Sequence, residues 1–103
     1  MTAPTLTAVP GDAFSGPLED WGPRVGADSG EPVMSGRIFY EADGIQIGVW
    51  ECTPGGWPIV DRPDTETVRI LAGRARLTDA DGTAVELSAG DGLVLPKGWS
   101  GRW

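Results

Sequence analysis

The amino-acid sequence predicts an all-β domain, and two observations carry that prediction. Sixteen glycines and nine prolines are spread along 103 residues that are still 40% hydrophobic, a composition that favours short strands and turns over long helices or disorder. The apolar runs are short, and each connection between them carries Gly, Asp or Pro, which is typical of a small antiparallel barrel or sandwich. A chain of this length forms one domain.

The chain opens with a segment rich in proline and glycine, residues 1–36. These residues interrupt any long helix. We therefore expect an extended N-terminal arm that packs on a barrel formed by residues 37–103. Leu18 and Trp21 are the side chains expected to anchor the arm; a tail without anchoring contacts is the alternative.

A β-hairpin is predicted after the arm. Ile45, Ile47 and Val49 recur with the period of two that a strand requires. The turn signal Asp43-Gly44 separates this run from the preceding segment 37–41, which contains Ile38, Phe39 and Tyr40. Two antiparallel strands are the natural interpretation.

Further short strands are predicted along the rest of the chain. The runs are 66–71, 74–78, 85–87 and 93–96, and the turns between them contain glycine. Within the first run, alternation places Glu66 on one face and Arg69 on the other.

The charge balance excludes several classes of partner. The net charge is −7, from 15 carboxylates and 8 basic residues, so a phosphate backbone or an anionic membrane would be repelled. The first residues lack a basic start followed by an apolar run, and no apolar stretch approaches the length of a membrane span. We expect a cytoplasmic protein.

Cys52 is the only cysteine and is expected to be a buried small hydrophobe rather than a nucleophile.

Four pieces of sequence carry a family resemblance. They are residues 48–55; Glu66 followed by Gly73; residues 77–82; and the G-x5-P-x-G spacing of Gly90, Pro96 and Gly98 with the residues that follow to 103. In this order they resemble the cupin superfamily, and within it the small branch related to the cupin domain of (S)-ureidoglycine aminohydrolase. The resemblance implies a small antiparallel jelly-roll barrel whose mouth opens onto an interior pocket.

The resemblance also implies where a metal would bind. Cupin metal sites use two histidines and a glutamate from the first motif and one histidine from the second. Here Glu66 is the one such ligand present, and the positions of the histidines hold other residues: Val60 and Arg62, or Ile59 and Asp61, in the first motif, and Gly101 in the second.

The sequence contains no histidine, so a transition-metal site built on imidazole is excluded within one chain. We expect no metal and no other cofactor. An all-oxygen site of Asp61, Asp64 and Glu66 for Mg²⁺ or Mn²⁺ is an alternative, but a solvated acidic loop beside a paired Glu66 is the simpler interpretation. Without its metal, the aminohydrolase activity is not carried over.

Aromatic and ionic residues remain as candidates for a ligand site. Trp50, Trp57 and Trp99 lie on segments that line or rim cupin barrels, where flat side chains make pocket walls; each could instead fill the core. Arg62 and Arg76 offer forked donors for a carboxylate.

Glu66 has two competing interpretations. If it points into the barrel, loss of hydration favours the protonated carboxyl that acid or base catalysis needs. We prefer an ion pair between Glu66 and an inward arginine, either Arg62 or Arg76.

Three functions follow. The first is a metal-free cupin that binds a small polar or carboxylated metabolite. The second is a metal-independent isomerase or lyase that uses Glu66 as its acid or base. The third is a structural module with a filled barrel whose main property is dimerisation, since cupin barrels commonly pair and the resemblance implies a homodimer.

The resemblance also implies a further strand, because cupins usually continue with another strand after the second motif. We therefore expect that the barrel either lacks that strand or belongs to a longer chain.

Overall fold

The computed structural model describes residues 3–103, which form almost only β structure. Within these residues there are a short 3₁₀ helix, Gly11–Ser15, and eleven strands. The strands are β1 (Glu19–Pro23), β2 (Ser29–Gly30), β3 (Val33–Ala42), β4 (Ile45–Cys52), β5 (Gly55–Gly56), β6 (Pro58–Ile59), β7 (Glu66–Arg69), β8 (Arg74–Asp79), β9 (Ala84–Ser88), β10 (Gly92–Leu95) and β11 (Gly101–Arg102). Their pairings are antiparallel, which confirms the predicted all-β class. None of the helical structure in residues 3–103 has the length and apolarity needed to cross a bilayer.

The chain divides into two compact units, and each unit contains two separate stretches of sequence. The first unit comprises the described residues up to Arg24 together with Pro32–Thr53, and the second comprises Val25–Glu31 together with Pro54–Trp103. This division differs from the predicted one, because the boundary predicted after residue 36 falls inside β3. The segment predicted as an arm supplies strands of its own, since β1 pairs with β3 and β2 pairs with β5.

The first unit is a three-stranded sheet in the order β1-β3-β4. The predicted hairpin is confirmed: β3 and β4 pair from Ala42↔Ile45 to Met34↔Cys52, with one irregularity between Ile38 and Tyr40. Asp43 and Gly44 both have positive φ, 54° and 76°, as the tightest hairpin turns require.

A buried apolar cluster forms the core of the second unit. Leu77, Leu87 and Leu95 are only 3%, 6% and 1% exposed. The first two lie on the paired strands β8 and β9, and Leu95 lies on β10, which belongs to another sheet. Five partly buried residues pack against them: Ile70, Ala75, Leu93, Trp99 and Trp103. The four strands predicted for this part of the chain are confirmed as β7 to β10, with ends that shift by at most two residues.

The short segment 25–31 is held to the rest of the second unit by polar contacts. The backbone N–H of Asp28 donates to Gly56 at 3.1 Å, and the Arg102 guanidinium contacts both Asp28 oxygens, at 2.8 and 2.6 Å. Gly56 is buried, and the space that a side chain would need there is taken by the Arg102 guanidinium, 2.6 Å from the position of a Cβ. The pairing of β2 with β5 therefore depends on a glycine at position 56 and on the ion pair between Asp28 and Arg102.

Acid should destabilise the folded protein by protonating the carboxylates of two ion pairs, Asp28–Arg102 and Glu86–Arg76. Hydrogen bonds from Arg102 lower the pKa of Asp28, and hydrogen bonds from Arg76 lower the pKa of Glu86. Both carboxylates therefore bind a proton less readily in the folded protein than in the unfolded chain. Their contribution to stability is complete above the unfolded pKa values and is lost as the pH falls through the lower folded values, below about pH 4.

Urea denaturation near neutral pH and at about pH 3 measures this effect. We expect the wild-type protein to lose more stability on acidification than the Asp28→Asn variant does. Both groups are exposed, so the difference should shrink at high salt. An equal loss in the two proteins would contradict a role for the Asp28–Arg102 pair.

Candidate functional site

The candidate site lies in the second unit, where two loops are joined by backbone contacts. One loop, residues 60–65, connects β6 to β7, and the other, residues 96–100, connects β10 to β11. Four hydrogen bonds join them: Asp61 N to Ser100 Oγ at 2.9 Å, Arg62 N to Trp99 O at 3.0 Å, Gly98 N to Arg62 O at 2.8 Å and Lys97 N to Thr65 Oγ1 at 3.0 Å. The site is therefore built on fixed backbone, although neither loop is regular structure.

Two residues with positive φ allow the loops to meet. Gly98 has φ 85° and Asp61 has φ 48°. The left-handed region is open to glycine at no steric cost, and Asp is one of the few other residues that enter it. Asp61 thus turns the chain so that Arg62, the next residue, reaches the second loop.

Arg62 is the centre of the site. Its Nη2 lies 2.8 Å from Glu66 Oε2 and 3.0 Å from Asp64 Oδ1, and its Nε donates to the Asp64 carbonyl at 3.3 Å. The Arg62 side chain is only 15% exposed, compared with 33% for Glu66 and 74% for Asp64. The ion pair of Glu66 with Arg62 that we preferred from the sequence is therefore present.

One guanidinium nitrogen of Arg62 is available to a ligand. The ion pairs and hydrogen bonds formed within residues 3–103 use Nη2 and Nε, not Nη1. In that part of the chain no buried side-chain nitrogen or oxygen lacks a partner, so Nη1 is in contact with solvent. It can donate to an acceptor on a bound molecule.

Glu66 begins β7 and pairs across the ladder with Leu95 of β10. The burial of β7 alternates, with Glu66 and Val68 half-buried and Thr67 and Arg69 exposed. The prediction that Arg69 points away from Glu66 is confirmed.

Arg76 does not join the site. It lies on β8 with two thirds of its side chain exposed and binds Glu86, its cross-strand partner on β9. The alternative pairing of Glu66 with Arg76 is not formed. The physical reason is the strand period, since Ala75 and Leu77 on either side of Arg76 face the core.

Trp57 packs rather than lining an open wall. It is 5% exposed and stacks on Trp103 with ring centroids 6.2 Å apart and planes 20° apart. The backbones of these two residues also exchange hydrogen bonds of 3.1 Å in both directions. This matches the core-filling interpretation given for Trp57.

Trp99 touches the site through its backbone, and its ring points elsewhere. Its carbonyl accepts from Arg62, while its Nε1–H donates to Asp79 Oδ1 at 2.8 Å. The ring lies against Gly101 where a Cβ would be, together with the Thr78 carbonyl. The position at which a cupin histidine is expected thus has no room for any side chain.

Trp50 and Cys52 belong to the first unit, on β4, and are half-buried. The Cys52 thiol contacts the Thr53 carbonyl at 3.2 Å. Burial raises the pKa of Cys52, which lowers its thiolate content. This agrees with the prediction that Cys52 is not a nucleophile, although the residue is half-buried and not fully buried as predicted.

The residues present do not fit a cupin metal centre. Within residues 3–103 no three Cys, Asp or Glu side chains come together as a metal-binding group, and the sequence has no histidine. The alternative oxygen site of Asp61, Asp64 and Glu66 is not assembled, because the Arg62 guanidinium binds two of its three carboxylates.

Two residues that build the site were not predicted from the sequence. Thr65 and Ser100 hold the two loops together through their hydroxyl groups. Hydroxyl residues in loops are common in any sequence, so nothing in their spacing marked them.

Comparison with known families matches one part of the chain. The family described as the EutQ-like cupin domain matches residues 40–103, more than half of the sequence and all of the second unit except its first segment. The match supports the cupin resemblance, while the finer resemblance to the aminohydrolase branch stays a prediction. No curated protein matches the chain at a significant level.

Proposed function

Because the chain belongs to the EutQ-like cupin family, we propose that it binds a small polar or carboxylated metabolite at the Arg62–Glu66 ion pair, without a bound transition metal. Cupins bind small molecules or act on them, and the polar groups described above give this member a place to do so. The observation that carries the proposal is the Arg62 side chain, which is only 15% exposed and whose guanidinium is fixed by two carboxylates.

The fixed position of Arg62 favours binding. A ligand that meets a flexible arginine must first order it, which costs affinity. Here the backbone of Arg62 is bonded to both Trp99 and Gly98, and its side chain is bonded to Asp64 and Glu66. The Arg62 side chain is therefore largely ordered before a ligand binds, which reduces the entropic cost of binding.

The charges of the site favour a ligand with two kinds of polar group. Arg62 Nη1 can donate to a carboxylate, whereas Asp64 and Glu66 can accept from an amino or hydroxyl group on the same molecule. One guanidinium and two carboxylates carry a net negative charge, so a simple anion would be opposed. A hydroxy or amino acid satisfies both sides.

A thermal-shift screen against small carboxylated metabolites tests the proposal, since a molecule that binds only the native state raises the melting midpoint. For any molecule that does so, Arg62→Lys should weaken binding by about tenfold or more, because the fork of donors is lost. The matched control is Arg76→Lys, which alters an exposed Arg–Glu pair in the same unit and should leave binding unchanged.

An equal loss of binding in the two lysine variants would contradict the proposed site. Glu66→Gln separates binding from catalysis: if the variant binds but a wild-type turnover disappears, Glu66 serves as the acid or base of an enzyme. A screen without any shift favours the structural module, which the stacking of Trp57 on Trp103 and the three buried leucines support. For that function we propose that two copies associate, which light scattering would detect.

A further inference from the structure

The contact between Arg62 and two carboxylates has a second consequence. We infer that the Arg62 guanidinium is a built-in cation that keeps a divalent metal ion from binding at Glu66. The inference uses the same ion pair as the proposed ligand site. It needs no organic ligand, so the inference and the proposed function are tested by separate experiments.

The position of the guanidinium supports this. One nitrogen, Nη2, lies 2.8 Å from Glu66 Oε2 and 3.0 Å from Asp64 Oδ1 and so bridges the two carboxylates. Carboxylate oxygens are the donors that Mg²⁺, Mn²⁺ and Ca²⁺ prefer. Arg62 is also the least exposed of the three side chains, so the positive charge lies on the inner side of the carboxylates.

The guanidinium and a metal ion are mutually exclusive here. A divalent ion bound to Glu66 Oε2 would lie about 2.0–2.6 Å from that oxygen. Because Nη2 is 2.8 Å from the same oxygen, the ion would be at most about 5.4 Å from Nη2, where the two positive charges repel. Lysine or histidine could relieve the repulsion by losing a proton, but a guanidinium does not do so at any pH that the protein tolerates.

The backbone of Arg62 is held independently of its side chain. The N–H and the carbonyl of Arg62 bond to Trp99 and Gly98, and these bonds survive any substitution except proline. Exchange of the side chain should therefore leave the loop in place and expose the two carboxylates.

Titration with Mn²⁺ alone, followed by calorimetry, tests the inference. Arg62→His places an imidazole where the guanidinium was, beside two carboxylates, a donor set suited to a divalent ion. We expect this variant to bind one Mn²⁺ per chain at least about tenfold more tightly than the wild type, and we expect Glu66→Gln in the same variant to remove the gain. Arg62→Gln, which removes the charge without adding a ligand, should show a smaller gain of the same kind.

Arg76→His is the matched control, since Arg76 also binds a glutamate but bridges no second carboxylate, and it should show no gain. Circular dichroism verifies that each variant is folded. The inference is overturned if the wild type binds Mn²⁺ through Glu66 as tightly as Arg62→His does. It is equally overturned if the folded Arg62→Gln variant binds Mn²⁺ no more tightly than the wild type, because a gain in Arg62→His alone would come from the added imidazole.

Discussion

Replacing Trp57 with alanine should lower the free energy of unfolding by about 4 kcal/mol, the cost of removing a buried tryptophan from a packed core. Trp57 is 5% exposed and stacks on Trp103. Domains of this size have a stability of about 5–15 kcal/mol, so the variant should lose a large part of its stability. Urea denaturation followed by circular dichroism measures the change.

The expected result distinguishes a packing role for Trp57 from a role as a ligand wall. A residue that only lines an open pocket would lose little stability on truncation. Leu6→Ala is the control, because Leu6 is 91% exposed and its truncation should change stability by less than about 0.5 kcal/mol. A loss at Trp57 as small as that at Leu6 would show that Trp57 does not contribute to the core.

Replacing Gly101 with alanine should cost about 3 kcal/mol, although it adds a single methyl group. The methyl would collide with the Thr78 carbonyl and the Trp99 ring. Neither side can give way easily, since β11 is paired with β6 on one edge and with β8 on the other. The same denaturation experiment measures the loss.

Gly11→Ala is the matched control for this substitution. A Cβ at Gly11 would have nothing within 4 Å, so the variant should retain nearly wild-type stability. If Gly101→Ala were equally harmless, the close packing of the Trp99 ring on β11 would be refuted. The same crowding leaves no room for a histidine at this position, because a larger side chain has even less space than alanine.

The parts of the fold that could be predicted are those with a local signal. The β3–β4 hairpin follows from alternating Ile45 and Ile47 and from the Asp43-Gly44 turn, all within a few residues of one another. Strands β2, β5, β6 and β11 are two residues long. A strand that short has no periodicity and exists only because a distant partner pairs with it, so the sequence contains no pattern for it.

The candidate site was predictable to the extent that strand alternation determines it. Alternation correctly separated Glu66 from Arg69. The same alternation places Arg76 on the outer face of β8, because its neighbour Leu77 faces the core. The sequence therefore contained a signal against the pairing of Arg76 with Glu66. The choice of Arg62 as the partner of Glu66 could not be made from the sequence alone, because it depends on the left-handed turn at Asp61 and on contacts with the second loop.

The division of the chain into two units restricts how the protein can be shortened. The backbone passes between the units three times, because Val25–Glu31 belongs with the later residues while the stretches on both sides of it, up to Arg24 and from Pro32 to Thr53, belong to the first unit. No single cut in the chain can therefore release either unit whole. A fragment limited to the family match at residues 40–103 would retain Arg62 and Glu66 but would lose β2 and the Asp28 partner of Arg102. Seven residues of the N-terminal third of the sequence, Val25–Glu31, are therefore an integral part of the unit that carries the candidate site.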